Sequence, residues 1–190
     1  MNNDQLIEII LTNPTNEAIL NLLPSMPLND AWLVSGCIFQ TVWNWKTGRD
    51  PKFGIKDYDI FYFDDTDLSW EAEDITIQKA LPCFNDINEA IEIRNQARVH
   101  LWYEQKFGIP YKPLRRATEG IDHFLARACM LGIRRENDGD FQVYAPKGLD
   151  DLQQLVIRPN DLKAFDTNTY HLKAKRWMRI WPELQFIDVT

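Results

Sequence analysis

Residues 57–63 read DYDIFYF. Apart from two acids the stretch is apolar and aromatic, the composition of a β-strand. On a strand, residues two apart project from the same face. Asp57 and Asp59 therefore point one way, and Tyr58 and Ile60 point the other. Two carboxylates on one face of a half-buried strand repel each other in a low dielectric. Such a face needs a cationic partner, either a side chain or a metal ion. The chain must fold so that one side of this strand closes a core while the other lines a polar site.

The rest of the chain supplies the layers. Residues 3–12 and 15–23 have helical spacing, with Thr15 or Asn16 as the cap of the second helix. AWLVSG reads as a short apolar strand. CIFQTVWNWKTG reads as a helix with Ile38, Val42 and Trp45 on one face and Gly48 closing it. Beyond the 57–63 strand, the spacing predicts a helix over 70–81 with Glu71, Glu73 and Asp74 near its start. NEAIEIR then alternates, with Ile91 and Ile93 on one side and Glu92 and Arg94 on the other. Residues 95–107 and 118–131 read as helices. GIRR and FQVYA flank a Gly-containing hairpin turn. GLDDLQQLVIRPN reads as a short helix with an extended exit, and YHLKAKRWMRIW as a final basic amphipathic helix. Strands alternating with helices imply an α/β (α+β) fold, a small mixed sheet flanked by helices with further helical material at the C-terminus. Residues 1–28 are expected to form N-terminal helices on a single compact unit spanning 29–190.

Composition narrows the functions. The net charge of −7 argues against a long nucleic acid as partner. No apolar run reaches the length of a membrane span, and the polar N-terminus lacks the pattern of a signal peptide. Three scattered cysteines (Cys37, Cys83 and Cys129) form neither a disulfide framework nor a zinc pattern. A reducing cytoplasm is the expected setting.

Glu92 lies on the polar side of its strand. If that strand neighbours 57–63, three carboxylates converge, a donor set suited to Mg²⁺ or Mn²⁺. Glu104 is the reserve for the third position. Upstream, VSGC ends a strand, turns at Gly36 and opens a helix. A helix start offers free N–H groups to phosphate, glycine allows close approach, and Ser35 adds a hydroxyl. Ser35, Gly36 and Cys37 thus form a candidate phosphate cradle.

This order of parts, SGCIFQTVWNWKTG followed by DYDI, resembles the DNA polymerase β-type nucleotidyltransferase superfamily. Its layout is similar to the Gly-Gly…Asp-x-Asp arrangement of CCA-adding enzymes. RNQARVHLWYEQKFG, YAPKGLDDL, IRPN and KAKRWMRIWPEL look like a bacterial nucleotidyltransferase-like family long catalogued as of unknown function. The resemblance spans residues 30 to 188. It implies a mixed sheet with flanking helices and a nucleotidyl-transfer site at Asp57, Asp59 and Glu92, acting on a nucleoside triphosphate with Mg²⁺ or Mn²⁺. The acceptor is left unidentified. The chain departs from the superfamily in having Gly36-Cys37 at the turn and an inserted loop, RDPKFGIK. The alternative is a catalytically weak nucleotide-binding regulator or antitoxin-like protein of the same fold.

Other residues have two readings. Arg94, with Asn95, Gln96 and Arg98, contacts substrate or forms a polar strand end. Lys173, Lys175, Arg176 and Arg179 form a basic stripe that either clamps a triphosphate or complements a helix C-terminus. Trp43, Trp45, Trp102 and Trp177 sit at helical spacing and are expected in the core.

Overall fold

The computed structural model describes residues 1–161 and 166–189. Two helices open the chain, α1 (Asn3–Leu11) and α2 (Pro14–Leu22). Strand β1 (Trp32–Val34) leads into α3 (Gly36–Lys46), then β2 (Asp57–Tyr62), α4 (Trp70–Ala80) and β3 (Ala90–Asn95). Two short helices follow, α5 (Tyr103–Phe107) and α6 (Ala117–Ile121), then the hairpin β4 (Gly132–Arg135) and β5 (Phe141–Tyr144). The chain closes with α7 (Asp150–Gln153), β6 (Val156–Ile157), α8 (Thr167–Ile180) and β7 (Gln185–Phe186).

Strands β1 to β5 form one mixed sheet in the order β3-β2-β1-β4-β5. β2 and β3 run parallel, and the other neighbours are antiparallel. The mixed sheet with flanking helices is the architecture expected from the sequence. β6 and β7 pair separately, in parallel.

Helix α3 lies in the centre of the core, with Cys37 through Asn44 all buried. Two of these buried residues, Thr41 and Asn44, are polar and hydrogen-bonded. Asn13 caps α2 by accepting from the N–H groups of Thr15 and Asn16, with Pro14 at the first helical position. The predicted cap, Thr15 or Asn16, is therefore displaced by two or three residues. The Asn13 amide nitrogen donates to Thr41 Oγ1 (3.1 Å) and Tyr58 Oη (3.2 Å). Asn16 donates to the Cys37 carbonyl (3.2 Å) and Thr41 Oγ1 (3.2 Å). These bonds hold α1 and α2 to the back of β2 and α3.

The C-terminal helix is fixed to α3 by rings. Tyr170, Ala174 and Trp177 are its buried residues, at spacings of four and three. Phe39, Trp43, Trp177 and Trp181 pack with centroid separations from 4.6 to 5.8 Å. Trp181 Nε1 donates to Asn44 Oδ1 at 2.7 Å.

Three local expectations are corrected. Trp45 is not on the buried face of α3 but 56% exposed, and Trp43 takes its place. Residues 118–131 are not one helix. Beyond Ile121 the carbonyls find tertiary partners instead of helical ones: Asn160 Nδ2 donates to the carbonyls of Asp122 (2.8 Å) and Phe124 (2.9 Å), and Asn160 N donates to that of Leu125. This is the structural role of the IRPN stretch. Residues 95–107 form 3-10 turns over Gln96–Leu101 and only a short α5, because Asn95 and Arg98 are held by neighbouring elements. Asn95 is bonded to both backbone groups of Asp64. Arg98 pairs with Glu73 and donates from Nε to the Leu68 carbonyl.

Candidate active site

The register of the sheet builds the acidic face. Val34 of β1 and Glu92 of β3 flank Asp59 of β2 on either side, and Asp57 pairs with Ala90. Glu92 therefore projects from the same side of the sheet as Asp59. Behind them Tyr58 and Ile60 are buried, as the alternation requires.

Across the front of Asp57 and Asp59 lies a cavity of about 210 Å³. Its lining includes Ser35, Gly36 and Gln40 from the α3 end, and Lys173 and Arg176 from α8. The two cations stand immediately before Ala174 and Trp177, so the ring cluster that buries those residues also places the charges over the acids. Phe124 and Leu125, from the segment that Asn160 holds open, form the opposite wall.

The acids are under-compensated. Burial, then repulsion from Asp57 and from Glu92, pushes the Asp59 carboxyl up to about 7, against the pull of Lys173 and Arg94. Glu92 turns to Arg94, its neighbour two residues on, at 3.1 Å. Among the described residues no group of three His, Cys, Asp or Glu side chains is drawn together closely enough to hold a metal.

The turn before α3 differs from the expectation in one detail. The left-handed residue is Ser35, at φ 54° and ψ −108°, and not Gly36. Such a backbone is costly for a residue with a side chain and is characteristic of functional turns. Gly36 is instead the first residue of the helix. A Cβ there would stand 3.3 Å from Gln40 Nε2 and 4.0 Å from Asp57 Oδ1, so any side chain would project over the acids. Ile38 and Phe39 both donate to the Ser35 carbonyl. The N–H groups of Gly36 and Cys37 precede that helical ladder. The Ser35 hydroxyl makes no capping bond.

Cys37 faces away from the cavity. Its thiol is buried, donates weakly to the Val34 carbonyl (3.7 Å), and is pushed up chiefly by burial. Only its backbone is placed to meet an anion at the helix start. Glu104 stands exposed on α5, and both it and Glu92 are absent from the described lining of the acidic cavity, so the expected convergence of three carboxylates is not formed here. Arg98 and Asn95 are structural, as their bonds show, whereas Arg94 lines the adjoining space. Nothing local in the sequence marks Gln40, Phe124 and Leu125, and only the tertiary fold brings them to the site.

A strand–turn–helix whose start faces an Asp-x-Asp strand in a five-stranded mixed sheet is the layout of a nucleotidyltransferase-type fold. The family model described as Nucleotidyltransferase matches residues 21–186, and the chain belongs to that family. A similar structure solved by NMR is described as revealing a CCA-adding enzyme head domain. It is 23% identical with a TM-score of 0.78, over 99% of this chain and 97% of that one. At that identity the likeness speaks for the fold. No curated protein matches the chain significantly. Among the described residues no helix is long and apolar enough to cross a membrane.

Proposed function

We propose that the chain moves a nucleoside monophosphate from a nucleoside triphosphate to an acceptor hydroxyl, with Mg²⁺ or Mn²⁺ held by Asp57 and Asp59. The observation that carries this reading is the pair of acids, Asp57 and Asp59, lining one cavity with the start of α3; burial and mutual repulsion push the Asp59 carboxyl up. Hard oxygen donors and a surplus of negative charge fit a divalent cation. Glu92 is the third donor, and joining the set requires it to give up its pairing with Arg94. When bound, the ion supplies charge to the α-phosphate and lowers the pKa of the acceptor hydroxyl.

The chain's own residues do the rest. The N–H groups of Gly36 and Cys37 and the Ser35 hydroxyl receive the terminal phosphates. Lys173 and Arg176 neutralise their oxygens. Arg94, once free of Glu92, adds a further cation. Glu92 accepts the proton of the acceptor hydroxyl. As the acceptor O–P bond forms, the bond between the α-phosphorus and the bridging oxygen breaks, and pyrophosphate leaves toward the helix start.

The test is incubation with α-labelled and, separately, γ-labelled triphosphates, Mg²⁺ and fractionated cell extract. The reading expects label on an extract component, pyrophosphate release, and loss of both in Asp59→Asn. Label from the γ-position would mean kinase chemistry and overturn it. The Glu92–Arg94 ion pair favours a second reading, a nucleotide-binding regulator without transfer. Tight triphosphate binding with no labelling by any triphosphate would select that reading.

A further inference from the structure

We propose that a second, ring-lined cavity beside the acids takes the base of the donor nucleotide. This rests on the reading of the acidic face as a nucleotidyl-transfer site. The cavity measures about 270 Å³ and shares Phe124, Leu125 and Lys173 with the acidic one, so the two adjoin. It lies further along the same face of the sheet. Asp57, Asp59 and Phe61 project in series from β2, and Phe61 pairs with Arg94 as Asp59 pairs with Glu92. Four residues of strand span about 13 Å. A triphosphate whose terminal group rests at Gly36 and whose α-phosphate rests at Asp59 therefore delivers its nucleoside to the cavity that Phe61 and Phe124 line.

The walls suit a flat, uncharged ring. Tyr111 packs against Tyr103 on one side and His123 on the other, each at 4.4 Å between centroids. Phe124 stacks on Phe61 at 5.7 Å. Burial holds the His123 imidazole below its usual pKa, so it is neutral near pH 7 and provides one donor and one acceptor to a base edge. The lining cations, Arg94 and Lys173, come from β3 and α8, elements that also flank the acids. A molecule that is planar at one end and anionic at the other matches this order of surfaces.

The experiment measures binding to the full chain with Mg²⁺, using inorganic tripolyphosphate and the four ribonucleoside triphosphates. Stacking of one base supports about a 5- to 150-fold advantage of the preferred nucleotide over tripolyphosphate. Tyr111→Leu, and separately Tyr103→Leu, should remove that advantage while leaving tripolyphosphate affinity unchanged. The unchanged tripolyphosphate affinity also shows that the variants fold. If both variants keep the full nucleotide preference, the assignment fails. It fails equally if they leave nucleotide affinity intact and raise KM only for an acceptor, since the cavity then takes the acceptor's ring. Tripolyphosphate that does not bind even to the unaltered chain would instead sink the phosphate site itself.

Discussion

Strand β2 has two faces that solve opposite problems. Behind it, Tyr58 is fully buried and its hydroxyl is hydrogen-bonded to Asn13, whose amide also reaches Thr41. In front, Asp59 is half-buried beside two other acids and is held up at about 7. The rear polar groups have partners within the chain, so they contribute to stability. In front, Glu92 has Arg94, but among the described residues no hydrogen bond or ion pair holds Asp59, so its burial beside Asp57 costs stability. A fold that keeps such a face keeps it for something outside the chain.

The largest effect expected from breaking this contrast is on activity. Asp59→Asn should lower nucleotidyl transfer on the order of 10³-fold or more, the scale on which transition-state charge stabilisation is lost. Rate measurement with labelled triphosphate checks it, and an unchanged rate would exclude the acidic face as the reaction centre. Next comes binding. Gly36→Val places a side chain beside Gln40 and over Asp57, and should weaken tripolyphosphate binding at least about tenfold. Gly36 is helical and not left-handed. The melting temperature should therefore hardly change, and a large drop in it would assign Gly36 to packing.

The same contrast has a sign in pH. Metal-free, the folded Asp59 titrates at about 7, against 3.8 ordinarily. Between those values the folded chain binds more protons than the unfolded one, so stability falls as pH rises. The stability is complete below the unfolded value and lost on passing through 7. Melting in chelator from pH 4 to 8 should show this slope. Asp59→Asn should flatten it and leave the variant more stable at pH 8, by an order of 1–4 kcal/mol. A variant that melts lower than the parent at pH 8 would show Asp59 to be paired after all.

How much of this was readable from the chain depends on the range of the interactions. The acid pair on β2, the helix opening at Gly36 and the side of the sheet that Glu92 takes follow from periods of two and from local turn chemistry; the convergence of all three acids does not, since Glu92 turns to Arg94 and is absent from the described lining of the acidic cavity. The left-handed Ser35 was not legible, because a glycine beside it was the better local candidate for that backbone. Nor was the irregular path of 122–131, whose carbonyls are satisfied by Asn160 more than thirty residues away. The ring cavity was invisible for the same reason. Tyr103, Tyr111 and His123 lie in short helices and turns with no repeating face, and only the tertiary fold assembles them.

The rear face gives the smallest effect and completes the comparison. Tyr58→Phe removes one hydroxyl from a network that otherwise remains intact. The Asn13 amide nitrogen keeps Thr41 as a partner, and its oxygen keeps the N–H groups of Thr15 and Asn16. The Thr15 hydroxyl, which also bonds Tyr58, keeps Glu89, so the loss should be about one hydrogen bond, on the order of 1 kcal/mol. Triphosphate binding should not change, because the hydroxyl lies on the side of the strand away from the acids. Denaturant unfolding measures the first and calorimetric titration the second. The sign matters more than the size: removing a polar group behind β2 should destabilise, whereas neutralising one in front should stabilise the metal-free chain. Equal signs on the two faces would mean that the acids are satisfied internally, and the case for an external cation would then lose its physical basis.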